Sequence, residues 1–330
     1  GHYAITTDDK DYAILWDLQT HTKKILSRDA DAYSAYWIKS TPYYMWQNWK
    51  TKHDYITDAV SGKNIQTLFL KFIVFSQAMS ADLQYFAASD KHWNILSNSG
   101  DALKFLVTGY NNSPGFYNKL INFTFLGNDK LLASGFGDYD PTDLKNSVGI
   151  NLWDLKTRKP IHHFLGNMVQ TFATISPDGK YVVAGDNNFR QFVWNLNTGK
   201  KLVSVFGGQP WLRTTKSGSF ITDNKVIAPP KDNYSNAITT IKYIDDKHYL
   251  VFNHNQHYAV LYETINPKPI KYLNLGPKPY PSTDALERDQ SIDTSPSAHI
   301  LVTGKRDGPG IMFYKYNPKT QTLTKVWDAK

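Results

Sequence analysis

The chain repeats one pattern of strand, tight turn and strand along most of its length. In the copy that begins at Thr174, the residues T-I-S-P-D-G-K-Y-V-V-A-G place a Ser-Pro-Asp-Gly segment between two apolar runs. Proline presets φ and glycine accepts a positive φ, so this segment predicts a β-turn between two strands. Similar segments begin at Tyr33, Ala78, Phe123, Ile241 and Ile292.

A second pattern follows each copy: a strand that ends in Trp-Asp or a related pair, a short turn and another strand. Residues 193–200 read V-W-N-L-N-T-G-K. Trp153 and Trp194 lie 41 residues apart, which is the usual period of a four-stranded propeller blade. Related segments occur at residues 15–18, 152–155, 261–263 and 313–315, with weaker ones at 56–59 and 95–96.

These motifs resemble those of WD-repeat proteins. The resemblance is carried by Trp16-Asp17, Trp153-Asp154, the variant Trp194-Asn195, and the Ser-Pro-Asp-Gly and Thr-Gly-Lys turns. It implies a β-propeller that recognises proteins or peptides. No Gly-His dipeptide precedes the first strand of any blade, so the family's Asp–His–Ser/Thr–Trp network cannot form in full and the chain would be a divergent member. The D-x-x-T-G-K-x-L pattern is also similar to quinoprotein-like propellers.

The spacing predicts an all-β fold, a seven-bladed β-propeller of four-stranded antiparallel blades that forms one domain over residues 1–330. Residues 1–5 align with residues 179–183, so the first blade is expected to lack its innermost strand. Either the chain is a fragment of a longer precursor or this blade has three strands. The blades are expected at about 1–28, 29–69, 70–108, 109–166, 167–207, 208–275 and 276–330.

Composition limits the classes of function. There is no Cys, which removes disulfides, zinc-thiolate sites and Cys nucleophiles, and no apolar run approaches a membrane span. The net charge of +8 comes mostly from scattered Lys, so nucleic acid is a disfavoured partner. A Cys-free chain suits an oxidising compartment, which favours a bacterial envelope or secreted location over the cytoplasm without fixing it.

The binding surface is expected on the top face, where strands b and c are joined and strand d leads to the next blade. The letters a to d label the strands of a blade from the axis outward. The a–b and c–d turns are short. The long connections all belong to the top face, and they are residues 108–120, 138–148, 207–236 and 276–289. Exposed aromatics and Arg are typical of binding hot spots, although such rings also fill central channels. The residues predicted for this surface are Trp49, Trp93, Phe116, Tyr117, Tyr139, Arg190, Trp211, Arg213, Tyr234 and Tyr280.

Two clusters are considered for metal ions and neither is favoured. Asp138, Asp140 and Asp143 could offer oxygen ligands to Ca²⁺, but a solvated turn explains them better. His254 and His257 flank a predicted hairpin turn without a third ligand nearby. No cofactor is expected.

The sequence therefore predicts a non-enzymatic, monomeric scaffold that binds a protein or peptide through its top face. Two alternatives stay open. One is a hydrolytic or quinoprotein-like propeller enzyme with a site at the central channel. The other is a binder of polyanions or glycans, for which the basic net charge is the motive.

Overall fold

The chain folds almost entirely into antiparallel β-sheets. The structure is a computed structural model, and its contacts divide the chain into two compact units: residues 1–167 with 308–310 and 329–330, and residues 168–307 with 311–328. It describes residues 2–7, 12–27, 35–48, 50–70, 76–89, 92–99, 103–110, 122–135, 150–164, 172–185, 191–205, 213–214, 220–222, 225–227, 238–253, 258–274, 292–304 and 311–329.

The first unit contains sheets 1 to 4, in which consecutive strands are hydrogen-bonded neighbours. Sheet 1 has three strands, β1 (Tyr3–Thr7), β2 (Ala13–Asp17) and β3 (Thr22–Ser27). Sheet 2 has β4 (Tyr36–Trp37), β5 (Tyr43–Asn48), β6 (His53–Asp58) and β7 (Asn64–Phe69). Sheet 3 has β8 (Ser76–Met79), β9 (Tyr85–Ser89), β10 (His92–Asn98) and β11 (Leu103–Tyr110). Sheet 4 has β12 (Asn122–Leu126), β13 (Lys130–Ser134), β14 (Ile150–Asp154) and β15 (Lys159–Phe164).

The second unit contains sheets 5 to 7 and one small sheet. Sheet 5 has β16 (Phe172–Ile175), β17 (Tyr181–Gly185), β18 (Gln191–Asn195) and β19 (Lys201–Val205). The small sheet has β20 (Arg213–Thr214), β21 (Phe220–Thr222) and β22 (Lys225–Ile227). Sheet 6 has β23 (Ile238–Tyr243), β24 (His248–Asn253), β25 (Tyr258–Glu263) and β26 (Asn266–Asn274). Sheet 7 has β27 (Ile292–Ser295), β28 (Ile300–Gly304), β29 (Ile311–Asn317) and β30 (Thr322–Asp328), with a 3₁₀ turn at Pro296–Ala298.

One backbone hydrogen bond recurs in all seven larger sheets. An amide at the end of strand c donates to the carbonyl of the residue before strand b, over 2.7–3.1 Å. The bond links peptide groups and therefore does not depend on the side chains at these positions. The donor–acceptor pairs are Leu18–His2, Ala59–Pro42, Asn98–Gln84, Leu155–Asp129, Leu196–Lys180, Thr264–Lys247 and Tyr316–His299.

The recurring bond shows which strand sheet 1 lacks. Leu18 donates to His2 as Leu196 donates to Lys180, so β1 corresponds to β17, the second strand of sheet 5. The pairings Tyr3↔Asp17 in sheet 1 and Tyr181↔Asn195 in sheet 5 agree. Sheet 1 thus has strands b, c and d, which confirms a first blade of three strands.

Apolar side chains fill the spaces between neighbouring sheets within each unit. In the first unit, Ile95 of sheet 3 packs in one cluster with Phe125 and Trp153 of sheet 4. In the second unit, Val193 of sheet 5 shares a cluster with Tyr249 of sheet 6. Neighbouring sheets within a unit therefore bury apolar residues against each other, as in stacked repeats that cannot form a core alone.

The small sheet was not predicted, because residues 207–236 were assigned to a connection. Its strands β21 and β22 contain Ile221, Val226 and Ile227, which are β-branched residues that favour extended backbone. Strands of two or three residues give too little alternation for a sequence pattern to identify them.

Candidate binding surface

Most of the predicted binding residues lie outside the described residues. Trp93 belongs to β10 and Arg213 to β20, but only their backbones are described. The binding surface therefore stays a prediction. The other eight, and the acidic cluster, are outside the described part: Trp49, Phe116, Tyr117, Tyr139, Arg190, Trp211, Tyr234, Tyr280, Asp138, Asp140 and Asp143.

The structure describes the turns at the bottom ends of the sheets, where strand a is joined to strand b and strand c to strand d. Local hydrogen bonds close these turns. In the c–d turns, a side-chain oxygen at the end of strand c accepts from amides two and three residues later. Asp17 accepts from Gln19 and Thr20 at 2.8 and 3.1 Å, and Asn195 accepts from Asn197 and Thr198 at 3.1 and 2.9 Å. These are Asx turns, in which the side chain replaces a backbone acceptor.

The acidic member of this turn is held in its charged form. Asp58 accepts from the backbone and side chain of Ser61 at 2.7 and 2.8 Å, and from the Val60 amide at 3.1 Å. The Ser61 amide and hydroxyl lower the pKa of Asp58 below its usual value. Asp58 follows Thr57, and it stabilises its turn as Asp17 of the Trp16-Asp17 pair does, which is a structural role.

The a–b turns are equally tight. The Ser176 hydroxyl donates to Asp178 at 2.7 Å and accepts from the Tyr181 amide at 2.9 Å, while Gly179 takes a φ of +70°. Ser80 and Asp82 repeat the first bond at 2.6 Å in sheet 3. These contacts engage the serine hydroxyl and the aspartate carboxylate within the turn itself.

Sheet 6 replaces this serine with a buried aspartate. Asp245 accepts from the Lys247 and His248 amides at 2.8 and 2.7 Å, and its second oxygen lies 2.8 Å from Nδ1 of His248. Burial raises the pKa of Asp245, but the hydrogen bonds from His248 and the two amides outweigh it, so the pKa is lowered overall. The ring of His248 also lies edge-on to Tyr316. The group closes a turn in the same way as Ser176.

Polar side chains are also buried at the top ends, close to the b–c connections. Asp54 and Gln47 form a cross-strand pair in sheet 2 and are both fully buried. Burial, and then the charge of Asp54, raise the pKa of Tyr36 well above its usual value. The further buried polar residues near the b–c ends are Ser89, Asn94, Ser134, Asn151, Gln191 and Thr303.

Some of these groups have partners within the described residues and others do not. The Tyr249 hydroxyl donates to Oε1 of Gln191 at 2.9 Å, and His163 contacts Asn151. In the part of the chain that the structure describes, the hydroxyls of Ser89 and Ser134 have no hydrogen-bond partner. Buried polar atoms are costly without partners, so this layer distinguishes the top ends from the apolar centres of the sheets.

Sequence reasoning missed this polar layer, although a signal was present. Gln47, Asp54 and Asn94 each lie next to an aromatic residue, Trp46, Tyr55 and Trp93 respectively, in strands that also carry apolar residues. A polar residue at a strand end also fits an exposed turn, and the repeat alone does not tell the two apart.

The connections at the top ends are also the long ones. Residues 206–237 join sheet 5 to sheet 6, 275–291 join sheet 6 to sheet 7, and 111–121 join sheet 3 to sheet 4. Residues 135–149 join strands b and c of sheet 4. The bottom turns, by contrast, are as short as residues 196–200 and 155–158.

An aromatic pocket of about 190 Å³ lies between sheets 1 and 2 of the first unit. The rings of Trp46 and Tyr55 stack at 4.7 Å in its wall. Lys24 and Leu26 of β3 line it from the other side. Trp46 of β5 is therefore half-buried between two sheets.

The described residues give no direct sign of a metal site or a membrane helix. No group of three His, Asp or Glu side chains within them could hold a metal ion. Within the same residues, no helix has the length and hydropathy needed to cross a bilayer.

The chain is similar in structure to solved β-propellers. No family model matches the sequence, and no curated protein matches it either. The Myceliophteria thermophila Cps50 (Swd1) β-propeller domain has a TM-score of 0.63 and 11% identity, covering 96% of this chain and 94% of that one. KlHsv2 with loop 6CD replaced by a Gly-Ser linker has a TM-score of 0.63 and 13% identity, covering 100% of this chain and 95% of that one. U3-55K has a TM-score of 0.58 and 11% identity, covering 90% of this chain and 80% of that one.

These likenesses and the seven larger sheets define the class of protein. The chain has the fold of a seven-bladed β-propeller made of four-stranded antiparallel sheets, with three strands in the first. This confirms the predicted fold class. Membership of the WD-repeat family itself remains a prediction from the motifs.

Proposed function

We propose that this chain is a non-enzymatic scaffold that binds a protein or peptide through its top connections. The residues that would contact the partner are the aromatic and Arg residues predicted from the sequence, above all Trp211, Arg213 and Tyr234. Trp and Tyr bury much apolar area with few rotatable bonds, and Arg forms planar hydrogen bonds.

The observation that carries this proposal is the difference between the two ends of the sheets. The bottom turns are short and use their own polar atoms, as at Asn195 and Ser176. The long connections, such as residues 206–237, join strands at the top ends of the sheets. Sheets do not need long connections to be stable, and long connections in compact domains are commonly functional.

The sheets supply a firm support for such a surface. Their cores are closely filled, with Trp194 and Val193 each 1% exposed in sheet 5. A preformed support loses little conformational entropy on association, so more of the contact energy appears as affinity.

Two substitutions in the longest connection test the proposal. Trp211→Ala and Arg213→Ala are each expected to weaken partner binding about tenfold or more, as loss of a hot-spot side chain does, while the melting temperature stays unchanged. Partners are first captured from source-cell extract with the wild-type chain, and their affinities for the variants are then measured by calorimetry.

Val60→Ala is the matched control, because Val60 is 71% exposed in a bottom turn. It should bind like the wild type. If Trp211→Ala lowers the melting temperature as much as it lowers binding, Trp211 is structural. If both variants retain every captured partner, the top connections do not form the binding surface.

A further inference from the structure

We propose that the aromatic pocket between sheets 1 and 2 binds a small aromatic carboxylic acid. The residues that line it lie in β3, β5, β6 and β7 and in the c–d turn of sheet 2. The pocket is therefore separate from the top connections, and its test does not depend on the proposed scaffold function.

The volume of the pocket limits the size of the ligand. The pocket measures about 190 Å³. A cavity of about 150 Å³ is large enough to hold benzene, whereas drug-sized ligands occupy pockets of roughly 300–1,000 Å³. The pocket therefore takes one six-membered ring with a short substituent.

The walls of the pocket fit a flat ring. Trp46 and Tyr55 stack with their ring centroids 4.7 Å apart and an angle of 22° between their planes. Leu26 of sheet 1 and Trp46 of sheet 2 pack against the same buried apolar cluster, which includes Tyr44. This packing holds the aromatic wall in place, and a further aromatic ring gains more from such a wall than the area it buries.

The neutral polar groups of the wall are hydrogen-bonded to their neighbours. The Tyr44 hydroxyl is hydrogen-bonded to the side chain of Thr57. The side-chain amide of Asn64 is hydrogen-bonded to the Thr67 hydroxyl at 2.9 Å. A buried sugar needs a hydrogen-bond partner for each of its hydroxyls, so a ring without hydroxyls suits this wall better than a sugar does.

Lys24 gives the lining a positive charge. The residues that line the pocket include no carboxylate, and Lys24 forms no ion pair with any residue that the structure describes. A Cβ added to Gly62 would lie 3.1 Å from Nζ of Lys24, so the ammonium lies against the c–d turn that borders the pocket. Asp58 of that turn accepts instead from Val60 and Ser61. An ammonium without a counter-ion favours a carboxylate on the ligand.

Phenylacetate is the probe, because it joins one aromatic ring to one carboxylate. Ligand-observed NMR should show saturable binding to the 330-residue chain. A dissociation constant of about 1 mM is expected for a ligand with so few atoms. Phenylacetamide has nearly the same shape without the charge, and cyclohexylacetate has the same charge without the aromatic ring. Each should bind at least about threefold more weakly than phenylacetate.

Lys24→Gln is the variant that tests the charge. It should weaken phenylacetate binding at least about threefold and leave phenylacetamide binding unchanged, because only the first ligand is an anion. Lys23→Gln is the matched control, since it changes the net charge equally and its ammonium lies over the Trp16 ring, 5.5 Å from the centroid. It should leave phenylacetate binding unchanged.

Trp46→Leu is the variant that tests the location of the site. It removes a ring from the wall and should weaken the binding of both phenylacetate and phenylacetamide at least about threefold. Tyr55→Leu makes the same test if Trp46→Leu does not fold.

Four results would overturn the proposal. The first is no saturable binding of phenylacetate up to about 20 mM, or equal binding of all three compounds. The second is equal weakening by Lys23→Gln and Lys24→Gln, which would mean that the acid responds only to net charge. The third is unchanged binding to the folded Trp46 or Tyr55 variant, which would place the acid elsewhere on the chain. The fourth is binding of acetyl-Gly-Gly-Phe, with a free terminal carboxylate, at least about tenfold tighter than phenylacetate, which would assign the pocket to a peptide terminus.

Discussion

The tryptophan of the Trp-Asp motif is a packing residue in this chain. Trp16 is fully buried, and its Nε1 donates to the Thr6 hydroxyl at 2.8 Å. Trp194 is 1% exposed and stacks on Phe192 with ring centroids 5.6 Å apart. The recurring backbone bond places Thr57, Leu96, Tyr262 and Tyr314 at the same position in other sheets. The side chain at this position is buried in every one of these sheets, and tryptophan is its largest occupant.

Removing such a side chain leaves a cavity. Trp194→Ala is expected to lower the free energy of unfolding by about 3–5 kcal/mol, as buried aromatic truncations do. Urea unfolding followed by circular dichroism measures the difference. Leu202→Ala is the control in the same sheet, because Leu202 is 44% exposed, and it should cost about 0.5 kcal/mol or less. Equal losses for the two variants would contradict the packing role.

A side-chain oxygen at the end of strand c stabilises the c–d turns by accepting hydrogen bonds from the turn. Asn195 fills this role in sheet 5, where its Oδ1 also accepts from the Thr198 hydroxyl at 3.1 Å. Gly199 follows with a φ of +67°, a conformation that favours glycine over residues with a Cβ. Aspartate takes the same place in sheets 1, 2 and 4, as Asp17, Asp58 and Asp154.

This comparison gives a paired test of the hairpin. Asn195→Ala removes the acceptor from the amides of Asn197 and Thr198, and should lower the free energy of unfolding by about 1–2 kcal/mol. Asn195→Asp keeps an oxygen at that position and should stay within about 0.5 kcal/mol of the wild type. Chemical unfolding of both variants at neutral pH measures this. If Asn195→Asp loses as much as Asn195→Ala, the amide nitrogen of Asn195 matters and the Asx turn is not the cause.

Most of the seven-sheet fold could be predicted from the sequence, because turn chemistry and strand alternation are local. The Ser176–Gly179 turn was predicted from its residues, and the alignment of Gly1–Ile5 with Gly179–Val183 anticipated the missing strand of sheet 1. The buried pair of Asp54 and Gln47 could not be predicted, because it depends on what packs over the strand ends. For the same reason the sequence does not decide which aromatic rings of the top connections face a partner.

The prediction of a single domain has a calorimetric test. Sheets that pack on their neighbours should unfold together, so we expect one thermal transition whose van't Hoff and calorimetric enthalpies agree. Trp153→Ala in the first compact unit and Trp194→Ala in the second should both shift that same transition. Two resolved transitions, each moved by only one of these variants, would show two independently folding domains.

The hydrogen bond between strand c and strand b affects how much sequence identity chains with this fold need to share. Its donors are Leu, Ala, Asn, Thr and Tyr in different sheets, since only their peptide groups take part. Amino acids at these positions can therefore be substituted while the blade keeps this backbone hydrogen bond. A similar fold can form with few identical residues, as the TM-score of 0.63 at 11% identity over 96% of this chain illustrates.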